Sequence, residues 1–248
     1  MVVYLILNVV LVRGLASAGG ANLKASIIDA VKDNKLSGSL EAFGLLLGNS
    51  EVTASASASL MQSLLVIFGS LVLITTLRRI FTGDVPGVKE AYYQSTAQLV
   101  PFVLVLLVLL IHLLPFLLGT SLLQATAGTG VVTGFGGLVF LALALLLSSW
   151  SLYMATASLT ALYIVTLPRT VPLVALRSAK KLVNSRRLAI LGRLAIFGLA
   201  LLVGLALLTM PFIVLAPALA EPVFYVLTTT SLALIHVYLY NLYRKLMA

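Results

Sequence analysis

Chemistry has few places to reside in this chain. The two histidines, His112 and His236, both fall within long apolar runs, where hydrocarbon does not solvate an ionisable group and leaves it paired or functional. At 1.5 Å per residue, His112 lies about 20 Å from the basic end of its run and His236 about 10 Å from the same side. That difference in depth predicts a separate interhelical hydrogen bond for each rather than a shared metal site. Glu221, just before Pro222, is the only acid in the C-terminal half. At the start of a helix its charge complements the helix dipole; a cation or proton site is the alternative. Acid catalysis needs a second positioned group, and Glu221 has no carboxylate neighbour in sequence. HExxH, GxSxG, EF-hand and Walker patterns are absent, as is Cys, so the common hydrolase, nucleotidase and thiolate chemistries lack their residues. The expectation leans away from an enzyme, with no metal and no cofactor.

Cationic chemistry is better represented. Residues 166–193, TLPRTVPLVALRSAKKLVNSRRLAILGR, hold seven of the sixteen Lys and Arg residues. Wound as a helix, the middle of this stretch places Ala175, Leu176, Ala179, Leu182 and Val183 on one face. Arg177, Lys180, Lys181 and Asn184 share the other. Pro172 suits the first turn, where its missing N–H costs nothing. This is the pattern of a helix at a membrane surface with its cations among the headgroups. Arg193 lies beyond it, inside the next apolar run, placed to snorkel or to hold a lipid phosphate together with Arg186 and Arg187.

The elements that carry these residues follow from composition. Charged residues make up 9% of the chain and hydrophobic residues 61%; about a quarter charged is usual for a soluble domain. So depleted a chain cannot cover its own surface in water. Its apolar runs suit helices rather than barrel strands, predicting an all-α polytopic transmembrane bundle. The formal charge is +9, but the cations cluster at the ends of apolar runs, which fits the positive-inside rule rather than nucleic-acid binding.

In chain order, residues 1–12 predict a first span, with a signal peptide ending at Ala16-Ser17-Ala18 as the rival. Residues 22–48 predict two outer interfacial helices, one capped by Asn22 with Leu23, Ile27, Ile28 and Val31 on its apolar face, the other capped by Ser39. Further spans are expected over about 57–77, 99–123, 138–167, 188–215 and 223–240. The first of these ends at Arg78-Arg79, Asp84 and Pro86 turn the chain, and residues 88–97 form a second surface helix. ATAGTGVVTGFGG (125–137) contains Gly128-x-Gly130 but no following Lys-Ser/Thr, so it reads as a flexible outer turn, not a phosphate loop. The fourth run exceeds the roughly twenty residues a span needs, and SSWSLY at its centre is the expected adjustment. Residues 217–222 read as a short outer turn, and Tyr238, Tyr240 and Tyr243 as an interfacial belt before Arg244-Lys245. The layout is six helices with both termini cytoplasmic, or five with the N-terminus outside if the first segment is cleaved. Residues 1–56 form an N-terminal span plus outer segment, and 57–248 the bundle in the cell membrane.

ITTLRR at 74–79 recurs as IVTLPR at 164–169, each followed by a proline, a surface helix and a span. This predicts a parallel internal repeat of about 57–123 and 138–215, with a pseudo-two-fold arrangement of the two hairpins. The order of parts over about 60–248, the segment PLVALRSAKKLVNSRRLAILGRL at 172–194 and the terminal YLYNLYRKL resemble the membrane domain of bacterial glycerophosphoryl diester phosphodiesterases, which also occurs alone in small membrane proteins. The basic, aromatic arm usual before the first span of such proteins is missing, and so is the phosphodiesterase domain. The resemblance therefore implies a membrane module without that activity. The expectation is a non-enzymatic protein that organises anionic lipids, or a protein partner at the cytoplasmic face, through its basic surface helices. The alternative is a permease subunit docking a separate ATPase.

Overall fold

The computed structural model describes residues 27–29, 35–52, 56–83, 87–129, 135–167, 170–184 and 186–247. Among them regular structure is helical throughout, with no strand. The helices are α1 (Lys35–Val52), α2 (Ala56–Thr82), α3 (Val88–Thr96), α4 (Leu99–Thr129), α5 (Phe135–Val165), α6 (Pro172–Val183), α7 (Arg187–Leu215) and α8 (Pro217–Met247). Among the described residues five stretches are long and apolar enough to cross a bilayer: Leu60–Thr82, Leu99–Gln124, Gly136–Val165, Arg187–Leu215 and Pro217–Met247. Their outer faces carry exposed leucines, among them Leu107, Leu110, Leu114 and Leu117 on α4 and Leu138 and Leu145 on α5. Such a surface is stable only in hydrocarbon, and helices suit it because each satisfies its own backbone. The chain is a multi-pass membrane protein of the helical class. Residues 1–12, the Ala16–Ala18 cleavage motif, Asn22, Leu23, Val31, Asp84 and Pro86 lie outside the described residues.

The helices run further than the sequence predicts. α2 continues through Arg78 and Arg79 for another turn and ends at Gly83, whose φ of 88° is the left-handed conformation that glycine adopts at helix C-termini without a Cβ clash. The expected outer turn at 125–137 is narrower, since residues 125–129 are still α4 and 135–137 already α5. Residues 217–222 are not a turn: α8 starts at Pro217, and Ala216 alone separates it from α7. Proline at a helix start costs nothing, which explains why Pro217 opens α8 rather than breaking it. Pro115, Pro211 and Pro222 lie inside helices, as membrane helices tolerate. Ser39 does not cap a helix, because α1 starts four residues earlier and buries it. SSWSLY introduces no break in α5.

The chain divides into two compact units, Met1–Leu73 with Ile196–Leu239, and Ile74–Ala195 with Tyr240–Ala248. The first has an apolar core in which Ile27, Ala42, Phe43 and Leu46 join Ile213, Ala220 and Phe224. Phe43 and Phe224 meet edge to face at 6.1 Å. The second is organised around the C-terminal half of α5. Ala155, Thr156, Ser158 and every residue from 160 to 166 are buried, so this half-helix is enclosed on nearly all sides. α4 and α6 both pack against α5.

Candidate functional site

Within the second unit, α4 and α5 approach closely because the facing residues are small. A Cβ on Gly119 would stand 2.8 Å from Ser148 Oγ and 2.9 Å from the Ala144 carbonyl, closer than any packed carbon sits. Small residues of this kind let membrane helices bring their backbones together. Two turns away, Ser151 Oγ donates to the His112 carbonyl at 2.5 Å, and His112 Nδ1 lies 2.8 Å from Ser158 Oγ. The interhelical hydrogen bond predicted for His112 is thus present. SSWSLY, predicted to adjust an overlong helix, supplies two of these contacts, through Ser148 and Ser151.

The C-terminal end of α5 must place four backbone carbonyls without intrahelical partners. The Leu167 N–H donates to Ile164 O at 3.0 Å. The Thr170 hydroxyl lies 3.0 Å from Val165 O and 2.7 Å from Leu167 O. Arg78 of α2 takes most of the remainder. Its Nη2 donates to Tyr163 O at 3.2 Å and to Thr166 Oγ1 at 2.5 Å, and its Nη1 donates to Thr166 O. Thr166 Oγ1 in turn donates to Tyr163 O at 2.9 Å. A cation at this end also opposes the negative pole of the helix dipole. Around the guanidinium stand Tyr163, Tyr240 and Tyr243, with ring centroids 6.1–6.3 Å apart. Phe81 stacks on Tyr240 at 5.4 Å, and the Arg244 guanidinium sits 4.6 Å above Phe81. Tyr240 and Tyr243, predicted to belong to an interfacial belt, are buried. Arg78, read from sequence as a stop signal, is the cap of another helix.

The cations differ in setting. On α6, Ala175, Ala179 and Val183 are buried, while Arg177, Lys180 and Lys181 are exposed. Val183 packs with Ile190 and Leu242, flanked by Leu194 and Leu246, so this end of α6 rests on protein. Arg186, just before α7, and Arg193 within it are both exposed. Arg79 pairs with Glu90 of α3 at 2.7 Å, with both side chains partly exposed; such a pair is worth about 1 kcal/mol or less. Arg187 stands apart from them. It is 6% exposed, and its guanidinium carbon lies 4.4 Å from the centre of the Tyr153 ring. Its Nε is buried with no hydrogen-bond partner among the described residues. A cation over a ring gains about 2 kcal/mol when desolvated, whereas burying a charge costs several.

His236 and Glu221 belong to the first unit, both partly buried in α8, with Glu221 the helix's fifth residue. Among the described residues no three His, Cys, Asp or Glu side chains gather as metal ligands. Comparison of the chain with protein-family models, curated proteins and solved structures finds no match.

Proposed function

We propose that this is a non-enzymatic membrane protein that organises anionic lipid, or a partner protein, through a cation-rich cytoplasmic face. The observation that carries the reading is a division of charge. The second unit holds twelve of the sixteen Lys and Arg residues and two of the seven acids. Arg177, Lys180, Lys181, Arg186 and Arg193 are exposed within it. A cation at an anionic surface gains about 1 kcal/mol, so several together amount to a firm but salt-sensitive hold. By the positive-inside rule the cation-bearing ends of this unit's helices face the cytoplasm, and the C-terminus with them. The order span, short helix, span occurs twice, as α2–α3–α4 and α5–α6–α7, which supports the parallel repeat and keeps the resemblance to the phosphodiesterase membrane domain in view.

The test is release of the protein from its native membrane into native mass spectrometry. Retained anionic lipid that falls when Arg177, Lys180, Lys181 and Arg186 become Gln is the expected result. Unchanged lipid and unchanged partner recovery would defeat the proposal. The permease alternative draws on the same two short helices, each joining two spans; co-release of an ATPase would move that reading ahead.

A further inference from the structure

We infer that Arg187 is the floor of a binding site for the phosphate group of an anionic glycerophospholipid, at the corner where α6 gives way to α7. The inference rests on the lipid-organising reading and names one discrete site within it. Arg187 has the Tyr153 ring beneath its guanidinium, and its Nε–H has no acceptor among the described residues. Burial removes water from a cation at great cost unless an anion or acceptor replaces it. The second unit has little to offer in that role: of its two acids, Glu90 is engaged by Arg79 and Asp84 is distant in sequence. Of the three guanidinium nitrogens, Nε alone is wholly closed off and unpartnered. The outer edge, carrying the other four N–H donors, is therefore the part a ligand reaches, and its planar fork matches two phosphate oxygens.

The surroundings fit a lipid better than a free anion. Arg187 opens α7, so the positive pole of a long helix dipole lies beside the guanidinium. Arg186 adjoins it, exposed, and Lys180 and Lys181 end α6 a few residues earlier, also exposed. Next to these cations Leu188 is 76% exposed. Cations set directly against bare aliphatic surface suit a ligand with a phosphate at one end and acyl chains at the other.

The experiment uses the full chain in phosphatidylcholine nanodiscs containing a minor share of phosphatidylglycerol. Retained anionic lipid is counted by native mass spectrometry as collision energy rises. The unaltered protein should keep one phosphatidylglycerol after the others have left. Arg187→Gln should lower retention of that last lipid by about tenfold, the scale of one charge-assisted contact. The combined Arg177→Gln, Lys180→Gln, Lys181→Gln protein should lose loosely held lipids and keep the last. Wild-type retention by Arg187→Gln overturns the site. Loss of no lipid in the triple variant overturns the broader reading while leaving the site standing. Should Arg187→Gln fail to fold, Arg187→Lys keeps the charge without the fork, and Tyr153→Leu removes the ring beneath it. Both should lower retention, and wild-type behaviour in both overturns the site. Millimolar inorganic phosphate in discs of phosphatidylcholine alone should leave no adduct. An adduct abolished by Arg187→Gln, or an acidic polypeptide released with the protein in place of lipid, would overturn the lipid assignment.

Discussion

The two units hold themselves together by different means. The first relies on apolar packing, in which Phe43 and Leu46 of α1 meet Ile213, Ala220 and Phe224, and Phe197 stacks on Tyr238 at 3.9 Å. The second adds small and polar contacts to its own apolar cluster of Val183, Ile190 and Leu242: Gly119 against Ser148, His112 against Ser158, Arg78 against the end of α5. In hydrocarbon, apolar side chains gain little by leaving lipid for one another, so close backbone approach and hydrogen bonds must provide the specificity. The charge follows the same division, with five of the seven acids in the first unit and twelve of the sixteen cations in the second. Few acids are thus left in the second unit to pair with its cations, and the ion pair described there is Arg79 with Glu90.

Removing the Arg78 cap should have the largest effect. Arg78→Leu leaves the Thr166 carbonyl without its cationic donor and the Tyr163 carbonyl with the Thr166 hydroxyl in its place; an unsatisfied buried group costs about 1–3 kcal/mol, and bonds to a charged donor are the stronger ones. The loss should be about 3 kcal/mol or more, read as the midpoint of unfolding in mixed micelles. Arg78→Lys should recover part of it, since the charge returns without the fork. In the first unit, Phe43→Ala empties an aromatic site in an apolar core, with a cost of about 3 kcal/mol. The two variants separate the units if hydrogen exchange near residues 163–166 quickens only in the Arg78 variant. Exchange quickening in both regions for both variants would mean that the division into units has no energetic counterpart.

Gly119→Ala should follow in size. Its new methyl would meet Ser148 Oγ and the Ala144 carbonyl at under 3 Å, and overpacking of a tight core costs about 1–3 kcal/mol. A carbonyl cannot yield as a flexible side chain can. Combining Gly119→Ala with Ser148→Gly tests which neighbour matters. Full recovery would place the strain on the hydroxyl, and no recovery on the backbone.

Much of the fold was legible because it depends on quantities that a sequence displays directly: run length, charge placement and helical period. The α6 helix could be read from Ala175, Ala179 and Val183 recurring every four residues, and Pro172 marked its start. Helix ends were harder. Gly128, Gly130 and Pro217 are turn formers in water, yet a helix in lipid gains so much by keeping its backbone bonded that α4 and α8 extend through or up to them. The candidate site was read in part. Arg177, Lys180 and Lys181 announced themselves by type and face, but Arg187 looked like its neighbour Arg186 until Tyr153, thirty-four residues earlier, came to lie beneath it. Arg78 was masked in the same way, because a cation after an apolar run reads as a membrane stop whether it faces headgroups or the end of another helix. Gly119 left a fainter trace. Ala144, Ser148, Ser151, Ala155 and Ser158 are small residues spaced by three and four, a stripe that asks for a close partner.

The smallest expected effect tests whether the polar contacts of the second unit are worth anything individually. His112 Nδ1 and Ser158 Oγ are 2.8 Å apart, and interhelical hydrogen bonds within membranes average about 0.6 kcal/mol. His112→Ala and Ser158→Ala, made singly and together, should give a coupling of that order, because each single change also removes packing that the double-mutant cycle cancels. His112→Ala should cost more than Ser158→Ala, as it deletes a larger side chain, while the Ser151 bond to the His112 carbonyl survives both. A coupling near zero would assign the α4–α5 seam to close packing at Gly119 alone. A coupling well above 1 kcal/mol would mean that the pair is shielded from competing partners even in the unfolded chain, making the histidine the principal fastener of the two helices.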